Sequence, residues 1–293
     1  MTTPNSRARF ARVAVVSAVC GFAMGAVLAQ APSANAAPAK AAAKAAPKAA
    51  AAKSIFPRLN GHIDLSGVWI NLFSESRTGN PNLYNEPDLS PAGKQIIEKF
   101  RSQYDMTGVQ GMDANEHCVE PGMPTDMSGI GGQPLQIIQG DNITVILAEV
   151  GNQFRRIFMK GQKPPEESLT TRNGWSNGPW EGDTLVVETQ LIQEWYWFRW
   201  PHADQAKTIE RFSLKRTADV TPPVGRNGQR RDMSTVGPYV LVDDLTMIDP
   251  VLYDKPPQIT LYFNKLGEDE FLEQACQEGL WWERMKKYRK PSP

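Results

Sequence analysis

Leu135-Gln-Ile-Ile-Gln-Gly140-Asp-Asn-Ile-Thr-Val145-Ile-Leu-Ala-Glu-Val150-Gly-Asn-Gln-Phe-Arg155-Arg-Ile-Phe-Met159 decides the fold class. Three short apolar or alternating runs, Leu135–Gln139, Thr144–Glu149 and Phe154–Met159, are separated by Gly140-Asp-Asn142 and Gly151-Asn152. Runs of that length between turn-forming residues are strands joined as hairpins, and hairpins are antiparallel. Outward from this block the pattern continues. Thr184–Thr189 is entered through Gly182-Asp183, and Gln193–Trp200, Thr208–Lys215, Tyr239–Ile248 and Gln258–Phe263 follow. On the other side, Leu65-Ser-Gly67-Val-Trp69 is a first strand. Ser90-Pro91 opens a helix, with Pro at its first position and Ile96, Ile97 and Phe100 as its apolar stripe. Residues 105–134 and 219–237 are rich in Gly, Pro and polar residues and are expected to be irregular. Nine or ten strands in one domain predict a mainly β, antiparallel barrel or strongly curved sheet.

The formal charge of zero is uneven along the chain. Residues 1–53 hold seven bases and no acid, which leaves 25 bases against 32 acids, about −7, over residues 54–293. An acidic body without a block of Arg and Lys argues against a nucleic-acid partner. Arg7, Arg9 and Arg12 precede an apolar run, Val13 to Leu28, and Ala34-Asn35-Ala36 is a fitting cleavage site. Residues 1–36 therefore read as a signal peptide, residues 37–53 as an Ala/Lys/Pro tether and residues 54–293 as one domain in the periplasm. The rival is a retained anchor, which the Gly and Ala within the run disfavour. No stable membrane insertion is expected after cleavage. Export leaves Cys118 and Cys276, which would form one disulfide in an oxidising compartment or else stand as free thiols.

The chemistry is bounded by what is missing. No H-E-x-x-H or clustered C-x-x-C supplies a metal site, and no G-x-G-x-x-G, P-loop or G-x-S-x-G motif is present. No metal and no cofactor are expected. Of three histidines, His202 is the acid/base candidate: Pro201 precedes it, and Asp204 would share its face in an extended segment and orient the imidazole. The alternative is that His202 and Asp204 hold a loop together. In alternating strands only one of Arg155/Arg156 and one of Glu210/Arg211 points inward. Arg155 or Arg211 would meet developing negative charge, unless an inward Arg–Glu pair is simply structural.

Trp180-Glu181-Gly182-Asp183 reads as a turn, with Trp180 across the barrel mouth. Trp195-Tyr-Trp-Phe-Arg-Trp200 places Trp195 and Trp197 on one strand face and Tyr196, Phe198 and Trp200 on the other. One set would wall a pocket for a flat aromatic or hydrophobic molecule, with the Tyr196 hydroxyl as a hydrogen-bonding group. The other reading makes both sets core. Leu280–Tyr288 is a short helical, basic-aromatic tail expected to dock on the barrel.

Asp64-Leu-Ser-Gly-Val-Trp69, Leu89-Ser-Pro-Ala-Gly93, Cys118-x-x-Pro121-Gly122-x-Pro124, Arg155-Arg156-Ile157, Trp180-Glu-Gly-Asp-Thr-Leu-Val-Val187, Pro201-His202-x-Asp204, Glu210-Arg211-Phe212 and Asp249-Pro250-x-x-Tyr253 follow one another along the chain. This ordered set resembles a family of exported bacterial proteins abundant in sphingomonads and acidobacteria. The resemblance implies a lipocalin-like barrel with a side helix, long loops and Trp69 plugging one end. Here the chain has Trp175, Thr125, Ala203 and Pro257 where the family usually has His, Arg, Ser and Trp, which points to a specialised pocket including Trp175 and Trp180. A looser resemblance, to cofactor-independent lyases of lignin-derived aromatics, implies a lyase or isomerase, in one version releasing formaldehyde from a hydroxymethyl phenolic. In that reading His202, Asp204, Arg155, Arg211 and Tyr196 carry the chemistry. The alternative is a non-catalytic binding protein for hydrophobic or aromatic ligands.

Overall fold

The structure, a computed structural model, describes residues 54–76, 87–104, 122–128, 133–197, 199–223 and 229–273. The expected signal peptide and tether, Cys118 and Cys276 with their expected disulfide, Phe198 and the expected C-terminal tail lie outside the described residues.

A hairpin of β1 (Arg58–Leu59) and β2 (His62–Ile63) leads into β3 (Gly67–Ser76) and helix α1 (Pro91–Arg101). Then come β4 (Leu135–Ile138), β5 (Ile143–Ala148), β6 (Gln153–Phe158), β7 (Trp175–Asn177), β8 (Trp180–Glu181), β9 (Thr184–Gln190), β10 (Lys207–Arg216), β11 (Tyr239–Ile248) and β12 (Gln258–Lys265). Nine of these close a barrel in the order β3-β4-β5-β6-β7-β9-β10-β11-β12, with β12 returning to β3 and β8 lying outside β9. The fold is mainly β and consistent with a lipocalin-like barrel, as the strand pattern and the resemblance led one to expect.

Trp69 sits in the core with its indole N–H donating to the Leu65 carbonyl at 2.9 Å. Phe212, Phe263, Leu241, Leu261 and Ile157 are also fully buried there, so side chains fill this part of the barrel. Ser90 caps α1 as its sequence indicates, accepting the Gly93 amide at 2.9 Å. Gly93 is needed for close approach: a Cβ there would lie 2.2 Å from the Leu252 carbonyl oxygen. A second apolar cluster, Leu72, Phe73, Val240, Val242 and Tyr262, is covered by Val220, Met233 and Val236 from the excursion after β10.

Two elements differ from the sequence expectation. Gln193–Trp200 is not a strand. The chain leaves the sheet at Leu191 (φ 57°) and reverses at Arg199 (φ 74°), and isolated bridges, Thr171–Ile192 and Trp195–His202, take the place of a strand. Alternation that is apolar on both faces needs partners on both sides, and here α1 supplies them. Phe100 packs on Tyr196 and Trp197 at 5.4 and 5.0 Å, and Tyr104 packs on Trp197 at 4.9 Å. Second, β7 pairs parallel to β6, whereas every other adjacent pair in the sheet is antiparallel. Parallel neighbours require a return connection, and residues 159–174 make it.

The closing region of the barrel holds an ion pair. Arg155 on β6 and Glu210 on β10 are 4% and 0% exposed, and the guanidinium donates to both carboxylate oxygens. Arg155 Nε also donates to Ser176 Oγ on β7 at 2.9 Å, and Nη2 to Thr189 Oγ1 on β9 at 2.7 Å. A buried pair of this kind costs much to break and little to replace whole. Arg155→Met alone should lower unfolding stability in urea by about 3–5 kcal/mol, and adding Glu210→Leu should recover most of the loss. A single-variant loss under about 1 kcal/mol would contradict the buried pair.

Candidate functional site

The structure separates the residues that the sequence assigned to catalysis. Arg155 points inward with four of its N–H donors on Glu210, Ser176 and Thr189. Arg211, its sequence-level alternative, points outward and forms an exposed ion pair with Glu181 at 2.8 Å. Strand alternation explains the split, since Glu210 takes the inward position.

His202 is buried, with Nδ1 2.8 Å from the Trp200 carbonyl oxygen and Nε2 3.0 Å from that of Gln193. Asp204 is exposed and does not orient the ring, because the segment turns after His202 instead of running on as a strand. The carboxylate that organises this segment is the buried Asp249. It accepts the amides of Ala203 at 2.8 Å, Val251 at 2.9 Å and Leu252 at 3.2 Å. Tyr253 OH donates to the Pro201 carbonyl at 2.7 Å. Two motifs distant in sequence thus lock one another in place.

Burial lowers the His202 pKa from its ordinary value, and the Arg172 charge adds to the effect. The two carbonyls and the nearby Asp249 favour the cation, but desolvation outweighs them. Tyr196 is half-buried, and burial followed by the nearby Glu194 pushes its pKa up to about 12. Its phenol therefore stays protonated at neutral pH.

The expected aromatic wall is dispersed as well. Trp200 belongs to the core, and Trp197 packs on α1. Trp180 stacks on His62 at 4.5 Å, and Asp183 beside it pairs with Arg58 at 2.8 Å, so the β8–β9 turn is tied to the β1–β2 hairpin. Trp195 lies under the Arg172 guanidinium, 4.7 Å from the ring centroid. Of the named tryptophans, only Trp175 lines the cleft described next.

That cleft, about 670 Å³, opens on the outer wall of β6, beneath the connection that returns to β7. Its floor is the outward row Phe154, Arg156 and Phe158, and Leu169, Arg172 and Trp175 face it from the connection and from β7. Phe158 stacks on Trp175 with centroids 4.4 Å apart, and the Arg156 guanidinium lies 5.5 Å from the Phe158 ring. The Trp175 indole N–H donates to the Gln162 carbonyl at 3.0 Å, which fixes the ring against the connection. Phe154 is 61% and Leu169 84% exposed, a high cost for apolar side chains unless something covers them. At the root of the loop Gly174 has φ 61°, and a Cβ there would lie 2.6 Å from the Gln190 carbonyl oxygen.

Sequence reasoning set Arg156 opposite Arg155 and named Trp175, but it did not find Phe154, Phe158, Leu169 or Arg172 as a group. The available signal was the long gap between two short strands. Its meaning depends on the parallel pairing, which local pattern does not carry.

Compared with protein-family models and with curated proteins, the sequence matches none. Among the described residues no group of His, Cys, Asp and Glu could hold a metal ion, and no helix is long and apolar enough to cross a membrane.

The His202 setting has a pH signature. Its folded pKa lies below the unfolded value near 6.5, so the unfolded chain binds the proton more tightly. This contribution to stability is complete above about pH 6.5 and is lost as pH falls below it. Thermal unfolding of the wild type from pH 7.5 to 5 should therefore decline more steeply than that of His202→Gln. Parallel curves would contradict the assignment.

Proposed function

We propose that this chain is an exported binding protein that holds a small aromatic or hydrophobic molecule in the cleft beside β6, acting in the periplasm. The observation that carries this reading is the pairing of exposed Phe154 and Leu169 with the Phe158–Trp175 stack around one open volume. A volume near 670 Å³ suits a molecule of one or two rings, and an apolar lining with a few polar groups is the usual character of such sites. The export pattern of residues 1–36 and the ordered resemblance to exported lipocalin-like proteins support the same reading.

The lyase reading needs a base that can exchange its proton with a substrate. Both nitrogens of His202 face backbone carbonyls, and Arg155 is engaged with Glu210. The binding reading therefore has the stronger support. Titration calorimetry with a panel of one- and two-ring aromatic molecules tests it. Leu169→Asp replaces an exposed side chain outside the core, and the members that bind should bind it about five- to tenfold more weakly. Absence of any binder, or binders indifferent to Leu169→Asp, would overturn the reading. Conversion of a ligand without cofactor, abolished in His202→Gln, would replace it with the lyase.

A further inference from the structure

Resting on the reading of the cleft as a ligand site, we infer that its ligand is a planar aromatic carboxylate, with Arg156 as its counter-ion and the Phe158–Trp175 stack as its ring platform. The inference starts from strand alternation. Arg155 is turned inward and used by Glu210, and the same alternation turns Arg156 outward into the cleft. No carboxylate lies within ion-pair distance of Arg156 among the described residues; what its guanidinium meets is the Phe158 ring. A guanidinium held near a ring keeps its edge N–H groups available, and that edge matches a carboxylate with two parallel hydrogen bonds.

The rest of the lining selects the shape. Phe158, itself buried, backs Trp175 in a nearly parallel stack, 22° apart, so that the half-buried indole presents a flat face next to the cation. Leu169 and Phe154 supply apolar cover for the far side of a ring. Arg172 lines the loop side, where its guanidinium is stacked on Trp195. Among the described residues no Asp or Glu lines the cleft. Over a body that carries about −7, a lining in which Arg156 points outward and no acid stands among the described residues favours an anion.

The test is calorimetric titration of the purified protein with 2-naphthoate and with its neutral analogue 2-naphthalenemethanol, repeated on Arg156→Met and Leu169→Asp. Arg156→Met keeps the stem that packs on Phe158 and removes the charge, so folding is spared. The expected result is about tenfold or greater preference for the carboxylate in the wild type. That preference should vanish in Arg156→Met, and both molecules should weaken in Leu169→Asp. Equal binding of the two molecules, unchanged in Arg156→Met but weakened in Leu169→Asp, would overturn the carboxylate and leave the cleft reading standing. Failure of both to bind the wild type, or binding indifferent to Leu169→Asp, would overturn the two together.

Discussion

The contact between Arg155 and Glu210 is the constraint on which the rest of the barrel depends. It spans β6 to β10 and draws in Ser176 of β7 and Thr189 of β9, so one guanidinium ties its own strand to the next three around the barrel. This is also where the barrel changes character. The parallel β6–β7 pair lies here, and β9–β10 completes the ring. An isolated buried charge would be prohibitive, and here it is made tolerable by four directed hydrogen bonds. Because a one-residue slip would reverse every side chain, the pair also specifies register: only one alignment of β6, β7, β9 and β10 brings all four partners inward.

The same alternation that buries Arg155 exposes Arg156, and the same parallel pairing that places Ser176 beside Ile157 sends residues 159–174 back along the outer wall. The cleft is thus a geometric by-product of the seam. A barrel built from hairpins alone would have no reason to carry a long connection over β6. The interior, by contrast, is occupied by Trp69, Phe212 and Phe263, which leaves the outer wall as the place where apolar side chains and a cation meet solvent.

Much of the fold was legible because period-two alternation and turn chemistry are local. The Leu135–Met159 hairpins, the Ser90 cap and the Tyr239–Ile248 strand fall where the sequence places them. Trp195–Trp200 misled because an aromatic run that is apolar on both faces fits a buried strand and also a loop packed on a helix. Only the positive φ angles at Leu191 and Arg199 and the presence of Phe100 decide between them. The site was less legible still. His202 attracted notice by its chemistry, yet the groups that hold its segment, Asp249 and Tyr253, lie 47 and 51 residues further on. Arg156 and Trp175 belong to separate stretches of sequence, and they share a cleft only because β7 lies beside β6.

We propose that ligand meets the outer wall of β6 and not the barrel interior. The most direct measurement is a two-dimensional NMR titration of the labelled protein with 2-naphthoate. Saturable shifts confined to residues 154–158 and 168–175 are expected, with Phe212, Leu241 and Phe263 unmoved. Shifts centred on those interior residues, with the 168–175 loop silent, would contradict it.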